Sequence, residues 1–424
     1  MQPPTERSLV AFSTNYWPSA LATLRLSGPA HQAGLELVHG NELEQVYPER
    51  VAQADIVVIQ RDFPRNRPAT REITARARLA SKPVVFDLDD LLLELPEDHP
   101  DRETFFYAEA LLPMLETIVA ADLVTASTPA LCEYLRPFNP NTLLAPNSLD
   151  DRLWPFRPPR SPAAGIPVVV GYMGGGSHLP DLERVAPALL RICDHYADQV
   201  VLRFLGVQPP PELLARSNVS WSPTTTYDYS EFAAQLLQQG YDIAIAPLND
   251  NLFNRCKSPL KVLEYSAVGA VGVYSNLEPY SQVVVQGENG FLASTLEEWE
   301  EYLSRLVDDA GLRSRLALAA QEAVRRDHML SQRGQAWRSI WDQAYSLRSP
   351  APDARPALLN TFLRISAQVQ DWQSHLKEHE QAQSIELAQK MARLSVLEQE
   401  LAAIYGSNSW KLLRRLGRAP RELK

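Results

Sequence analysis

Cysteine is scarce in this chain, and its 41 basic residues are outnumbered by 51 acidic ones. Its 424 residues include three cysteines, Cys132, Cys193 and Cys256, far apart and without CxxC spacing. That excludes a disulfide frame and a cysteine-ligated zinc site, and it points to a reducing compartment. The net charge of −10 removes general affinity for nucleic acid or acidic lipid, leaving only local basic patches to consider. No apolar run reaches the roughly 18 residues that a membrane span needs. The start, MQPPTERSLVAFSTNYW, lacks the basic-then-apolar pattern of a secretory leader, so the expectation is a cytoplasmic protein. Apolar residues at 45% and charged residues at 22% are ordinary for a folded chain, and the length favours more than one domain.

What is present is a repeated alternation. Short apolar runs at 9–12, 54–60, 82–90, 121–128 and 142–147 read as buried strands, and helix-period segments such as REITARARLAS and FYAEALLPMLETIVAA lie between them. A proline-rich stretch, NSLDDRLWPFRPPRSP, interrupts the series. The alternation then restarts with IPVVVGYMGGG and runs to the helices EEWEEYLSRLVDD and LRSRLALAAQEAVRRD. Strands alternating with helices imply parallel sheets covered on both faces, with ligands bound at the carboxyl ends of the strands. The expected organisation is two doubly wound α/β domains, 1–160 and 161–348, and an appendage at 349–424. Within the appendage, apolar residues recur near heptad spacing (Ile365, Val369, Trp372 and Leu376, then Leu387, Met391, Leu394, Leu397, Leu401 and Ile404). They predict a coiled coil over 363–404 that could join two copies of the chain. The end, SNSWKLLRRLGR, is a basic amphipathic segment at 407–418, suited to an anionic membrane surface or to packing against a partner protomer.

The residues that could carry chemistry gather in NRCKSPLKVLEYSAVGAVGVYSN, 254–276. A helix beginning near Ser258-Pro259 offers free N–H groups and a positive dipole end to phosphate, and Lys257 and Lys261 add full charge. Glu264, one turn on, could accept ribose hydroxyls. Together they suit a nucleoside-diphosphate sugar. The plainer alternative is two solvated lysines with Glu264 paired to one of them. Gly174, Gly175 and Gly176 stand between strand and helix, where backbone amides can approach phosphate, and Ser177 and His178 follow as donor-contact candidates. Arg255, Ser258, Glu278 and Tyr280 are further candidates on the same side, Tyr280 with packing as an equal reading. In FDLDD, Asp87, Asp89 and Asp90 could hold a metal at a strand end or cap the next helix. The favoured reading is acceptor binding or polarisation by Asp89 or Asp90, with no metal site. Arg61, directly after a strand, either faces the same cleft or is solvated.

The segment FNRCKSPLKVLEYSAVGAVGVYSNLEPYSQVVVQGENGFL resembles the donor-binding segment of family 4 glycosyltransferases of GT-B fold. VVVGYMGGGSHLPDLERVAPAL, the helices after it, KPVVFDLDDLLLELPEDHP and ADLVTASTPALCEYL are similar to that family in order and spacing, over most of residues 9–345. The resemblance implies retaining sugar transfer from a nucleotide-diphosphate donor without a bound metal or other cofactor. It assigns the diphosphate to Lys257 and Lys261, the groups that would stabilise the leaving group, and the ribose to Glu264. The acceptor it implies is a glycan, a lipid-linked sugar or a protein, in bacterial surface polysaccharide or glycoconjugate synthesis. The chain departs from the family's pattern in two places. The first of two glutamates separated by seven residues is replaced by Cys256, and GGGSHLPD stands where an arginine and lysine are usual. A silent GT-B module that assembles a complex through the coiled coil is therefore the alternative.

Overall fold

Continuous apolar runs become parallel strands here because both faces of each sheet are covered. The protein, seen in a computed structural model, is described over residues 7–14, 17–43, 45–160, 165–347 and 357–417. The first sheet has the spatial order Glu36–His39, Ser8–Phe12, Ile56–Gln60, Val84–Leu88, Leu123–Ala126 and Thr142–Leu144, every pairing parallel. Alternate side chains take opposite sides. Val10, Phe12, Val57 and Ile59 pack with Phe63, Ile73 and Met114. Leu9, Ala11, Ile56 and Val58 pack with Leu26, Ala30, Trp337 and Trp341.

The second sheet has the order Val219–Ser222, Val200–Gly206, Val168–Gly174, Ile243–Ala246, Val271–Ser275 and Phe291–Ala293, again parallel throughout. Winding reverses between Val168–Gly174 and Ile243–Ala246, and this switch point is where an open α/β sheet leaves a crevice. The helix Leu330–Ser346 crosses back and buries Trp337, Ile340 and Trp341 against the first sheet, so the chain between 161 and 348 serves both sheets. Two strands of these six-stranded sheets escape the sequence pattern, Glu36–His39 and Val219–Ser222. Both are edge strands, and their partial exposure replaces apolar runs with polar alternation.

The chain divides into a first unit holding both sheets and a second beginning at 356. The second unit consists of the helix Ala357–Gly406 and, after a break at Ser407, the helix Asn408–Arg415. Ser407 caps the latter, its hydroxyl accepting from the Trp410 amide at 3.2 Å. Leu387, Met391, Leu394, Leu397, Leu401 and Ile404 are all exposed on the long helix. The side chains of Ile365, Val369 and Trp372, and residue Arg418, lie outside the described residues.

Candidate functional site

The switch point of the second sheet gathers two stretches of chain. Strand Val168–Gly174 leads into Gly175 and Gly176, both exposed, and a side chain at either would meet nothing within 4 Å. Their backbone is open to a ligand, as the glycine run suggests. Ser177 and His178 follow, before the helix Leu179–Tyr196. On the other side, the stretch after Ile243–Ala246 holds a short helix, Leu252–Arg255. It exists because Asn251 caps it, accepting from the Asn254 amide at 2.8 Å.

Asp181 joins the two stretches. Its Oδ1 accepts from the Asn249 amide at 2.7 Å and from Asn254 Nδ2 at 3.2 Å, while Oδ2 lies 2.9 Å from His178 Nδ1. Burial lowers the His178 pKa well below the ordinary value, and the charges of Lys257 and Lys261 lower it further, so the ring is neutral at neutral pH. Asn254, a neighbour of Cys256, is one of the residues that could stand in for the family's first glutamate, whereas Asp181 was not singled out from sequence. An acid in the first turn of a helix reads there as an ordinary dipole partner.

Helix Leu260–Ala267 carries the charged pair. Lys261 is 8% exposed and Glu264 is 2% exposed, which rules out solvation for either side chain. The Lys261 ammonium lies 5.2 Å from the centre of the Tyr172 ring, and that of Lys257 lies 4.6 Å from the Phe253 ring. Burial, and then the like charge of Lys257, brings Lys261 down to about 7. Burial pushes Glu264 up to about 7, against a 2.8 Å hydrogen bond from the Tyr229 hydroxyl and the pull of Lys261. Beside them, the Ser258 and Tyr172 hydroxyl oxygens are buried without a hydrogen-bond partner. Orphaned polar atoms of this kind are uncommon in folded proteins, and a bound ligand is one way to satisfy them.

The remaining donor-side candidates are placed differently. Arg255 is turned outward into an exposed ion pair with Asp250, at 2.6 Å. Glu278 accepts from Gln282 at 2.7 Å, and Tyr280 is 2% exposed with its ring 5.2 Å from that of Tyr274. Cys256 is fully buried, and together with Phe253 it packs into the core of the first half, among residues such as Leu88 and Leu92. The Thr128 hydroxyl donates to the Cys256 carbonyl at 2.8 Å. The first half thus grips the stretch that ends in Lys257.

The three aspartates of FDLDD diverge. Asp87 is enclosed by Arg25 at 2.6 Å, Thr125 at 2.7 Å and Gln60 at 3.1 Å, a structural network beneath the strand ends. Asp89 pairs with both oxygens to Arg61 Nη1, at 3.2 and 3.3 Å, while Arg61 Nη2 donates to the Tyr107 hydroxyl at 3.1 Å. Arg61 is therefore committed inward. Burial raises Asp89 to about 6, with Arg61 restraining the rise, so the carboxylate is ionised at neutral pH. Asp90 lies 3.7 Å from Arg61 and remains partly exposed. Among the described residues no group of three or more His, Cys, Asp or Glu converges as a metal site.

His99, absent from the sequence-level candidates, lines a small cavity between the halves together with Asp98, Ser177, Asp181, Asn249 and Phe253. Its Nδ1 accepts from the Asp101 amide at 3.2 Å, which leaves the proton on Nε2. Its ring meets Phe253 edge-on at 5.2 Å. The charges of Lys257 and Asp90 both reach it. A lone histidine in a charged loop gave no period or spacing by which to find it.

Residues 229–339, which hold Lys257, Lys261 and Glu264, match the family model described as glycosyl transferase-like. HepE from Anabaena, solved in complex with UDP and glucose, superposes over 80% of this chain and 100% of its own, at 15% identity and a TM-score of 0.57. Sucrose-phosphate synthase from Thermosynechococcus elongatus superposes over the same shares, 80% and 100%, at 14% identity and a TM-score of 0.54. The fold is GT-B. TarM from S. aureus aligns over 68% of this chain and 55% of its own, so the chain spans little more than half of TarM, at 11% identity and a TM-score of 0.47. No curated protein matches the chain in sequence. Lys257, Lys261 and Glu264 belong to the half built on the second sheet, and Asp89, Asp90 and His99 to the half built on the first.

Proposed function

We propose that the protein is a retaining glycosyltransferase that takes a sugar from a nucleoside-diphosphate donor. The observation that carries this reading is the set formed by Lys257, Lys261, Glu264 and the two partnerless hydroxyls of Ser258 and Tyr172, beside the open backbone of Gly175 and Gly176. Two ammonium groups and the start of a helix suit a diphosphate leaving group. In a site that excludes water, such fixed charges do the work a cation would do, so transfer is proposed to need no metal. Glu264 is assigned the ribose. Asp89, Asp90 and His99 are assigned to the acceptor side. The acceptor is proposed to be a glycan, a lipid-linked sugar or a protein, in a cytoplasmic step of bacterial surface-glycan synthesis. HepE, crystallised with UDP, makes UDP-sugars the first donors to try.

Thermal-shift measurements with UDP, GDP, ADP and TDP, and with their sugars, test the donor site, because a ligand that binds only the folded state raises the Tm. One diphosphate should raise it, and Lys261→Ala should lose about 1.5–3 kcal/mol of that binding, the scale of a hydrogen bond to a charged group. The free nucleoside should be nearly unaffected by the substitution. Equal loss for nucleoside and nucleotide would remove Lys261 from the phosphates. The second reading, a silent GT-B module, is favoured by Cys256, since the family's first glutamate has no counterpart facing the cleft. It predicts nucleotide binding without turnover of any donor.

A further inference from the structure

On the first half, the turn Leu92–Glu94 and the chain from Asp101 to Leu111 enclose a cavity of about 360 Å³. That lies near the lower end of the roughly 300–1,000 Å³ typical of small-ligand sites. Leu92, Leu93, Leu95, Phe105, Tyr107 and Leu111 make its walls. Of the charged residues at its edge, Glu94, Asp101 and Arg102, two are engaged elsewhere. Arg102 donates to the Leu95 carbonyl at 2.6 Å, and Glu94 accepts from the Tyr134 hydroxyl at 2.9 Å. What the cavity offers an occupant is therefore mainly apolar surface, with the Asp101 carboxylate at its edge.

Two features distinguish it from an ordinary dent. Phe105 stands in left-handed backbone, φ +56°, with its ring 77% exposed. Bulky residues seldom adopt that conformation, and where they do they gather at ligand clamps and switches. Tyr107 belongs both to the cavity and to the polar cluster of the cleft. Its ring forms a wall, while its hydroxyl accepts from Arg61, the partner of Asp89.

We propose that this cavity receives an apolar group of the acceptor, one ring system or a short alkyl chain, and that Tyr107 relates the occupied cavity to the Asp89–Arg61 pair, which meets the acceptor's hydroxyl. The inference rests on the glycosyltransferase reading for its role and names the acceptor's class, a sugar or alcohol with an apolar substituent.

Calorimetric titration of the full chain with phenyl and hexyl β-D-glucopyranosides, against methyl β-D-glucopyranoside, tests it. The phenyl or hexyl compound should bind at least tenfold tighter than the methyl compound. Ala108→Trp, introduced at an exposed wall position, should fill the cavity and abolish that advantage, and Leu93→Gln should reduce it. Neither substitution should change stabilisation by the nucleotide. Equal binding of all three glycosides, binding by none, or an advantage that survives Ala108→Trp would overturn the proposal. If no nucleotide stabilises the protein and no donor is turned over while the apolar advantage persists, the cavity stands and the donor reading falls.

Discussion

Lys261 and Glu264 show how burial turns two ordinary side chains into groups poised near neutrality. Spacing placed them on one face of a helix start, but only their enclosure, 8% and 2% exposed, brings both pKa values to about 7. A pH dependence follows. Above pH 7 the empty site holds Lys261 neutral, whereas a bound diphosphate requires it charged, so binding takes up a proton and affinity falls as pH rises from 7 towards 10. Below pH 7 Glu264 gains a proton and becomes a weaker acceptor for ribose hydroxyls, so affinity falls there too. Calorimetry with the stabilising nucleoside diphosphate should show an optimum near pH 7. Lys261→Arg, always charged, should flatten the alkaline limb. Affinity that stays level between pH 7 and 9 in the unmodified protein would disconnect Lys261 from the phosphates.

At the scale of elements, the short helix Leu252–Arg255 and the residues after it explain the missing glutamate. Phe253 and Cys256 insert into the apolar core of the first half, and Thr128 holds the Cys256 carbonyl from the start of its own helix, Pro129–Leu135. A carboxylate at 256 would be buried there without a partner, which costs about 3–5 kcal/mol when a buried charge is left uncompensated. Cys256→Glu should therefore lower stability in denaturant titration and bring no gain in activity, while Cys256→Ala should cost far less. A stable, more active Cys256→Glu protein would mean that this stretch leaves the core during turnover. The edge strands teach a related lesson. Glu36–His39 and Val219–Ser222 lack apolar runs because half their surroundings are solvent, so their places in the sheets were not legible from period alone.

For the whole molecule, the question is what the second unit does for the first. Exposed leucines along Ala357–Gly406 suit a second copy of the chain, and Trp410, Leu413 and Leu416 against Lys411, Arg414 and Arg415 suit an anionic surface. Each basic residue near such a surface contributes about 1 kcal/mol. Among the described residues no helix is long and apolar enough to cross a membrane. Flotation with anionic liposomes should carry the full chain but not a chain ending at Tyr405, and sedimentation should show a dimer that survives that truncation. Equal flotation of both would remove the tail from membrane contact.

Period and punctuation in the sequence determined the doubly wound class, most strands of both sheets and the helix start that carries Lys261 and Glu264, because strand and helix periods, glycine turns and prolines are local properties of the chain. Tertiary structure alone decided the rest. It divided FDLDD among three fates, with Asp87 in a structural network, Asp89 on Arg61 and Asp90 at the cleft. It turned Arg255 out to Asp250, buried Cys256 in the other half's core and brought His99 to the cavity beside Ser177. Those outcomes depend on which partners meet, at separations from 5 residues for Arg255 and Asp250 to 128 for Thr128 and Cys256, and on how much water their meeting excludes.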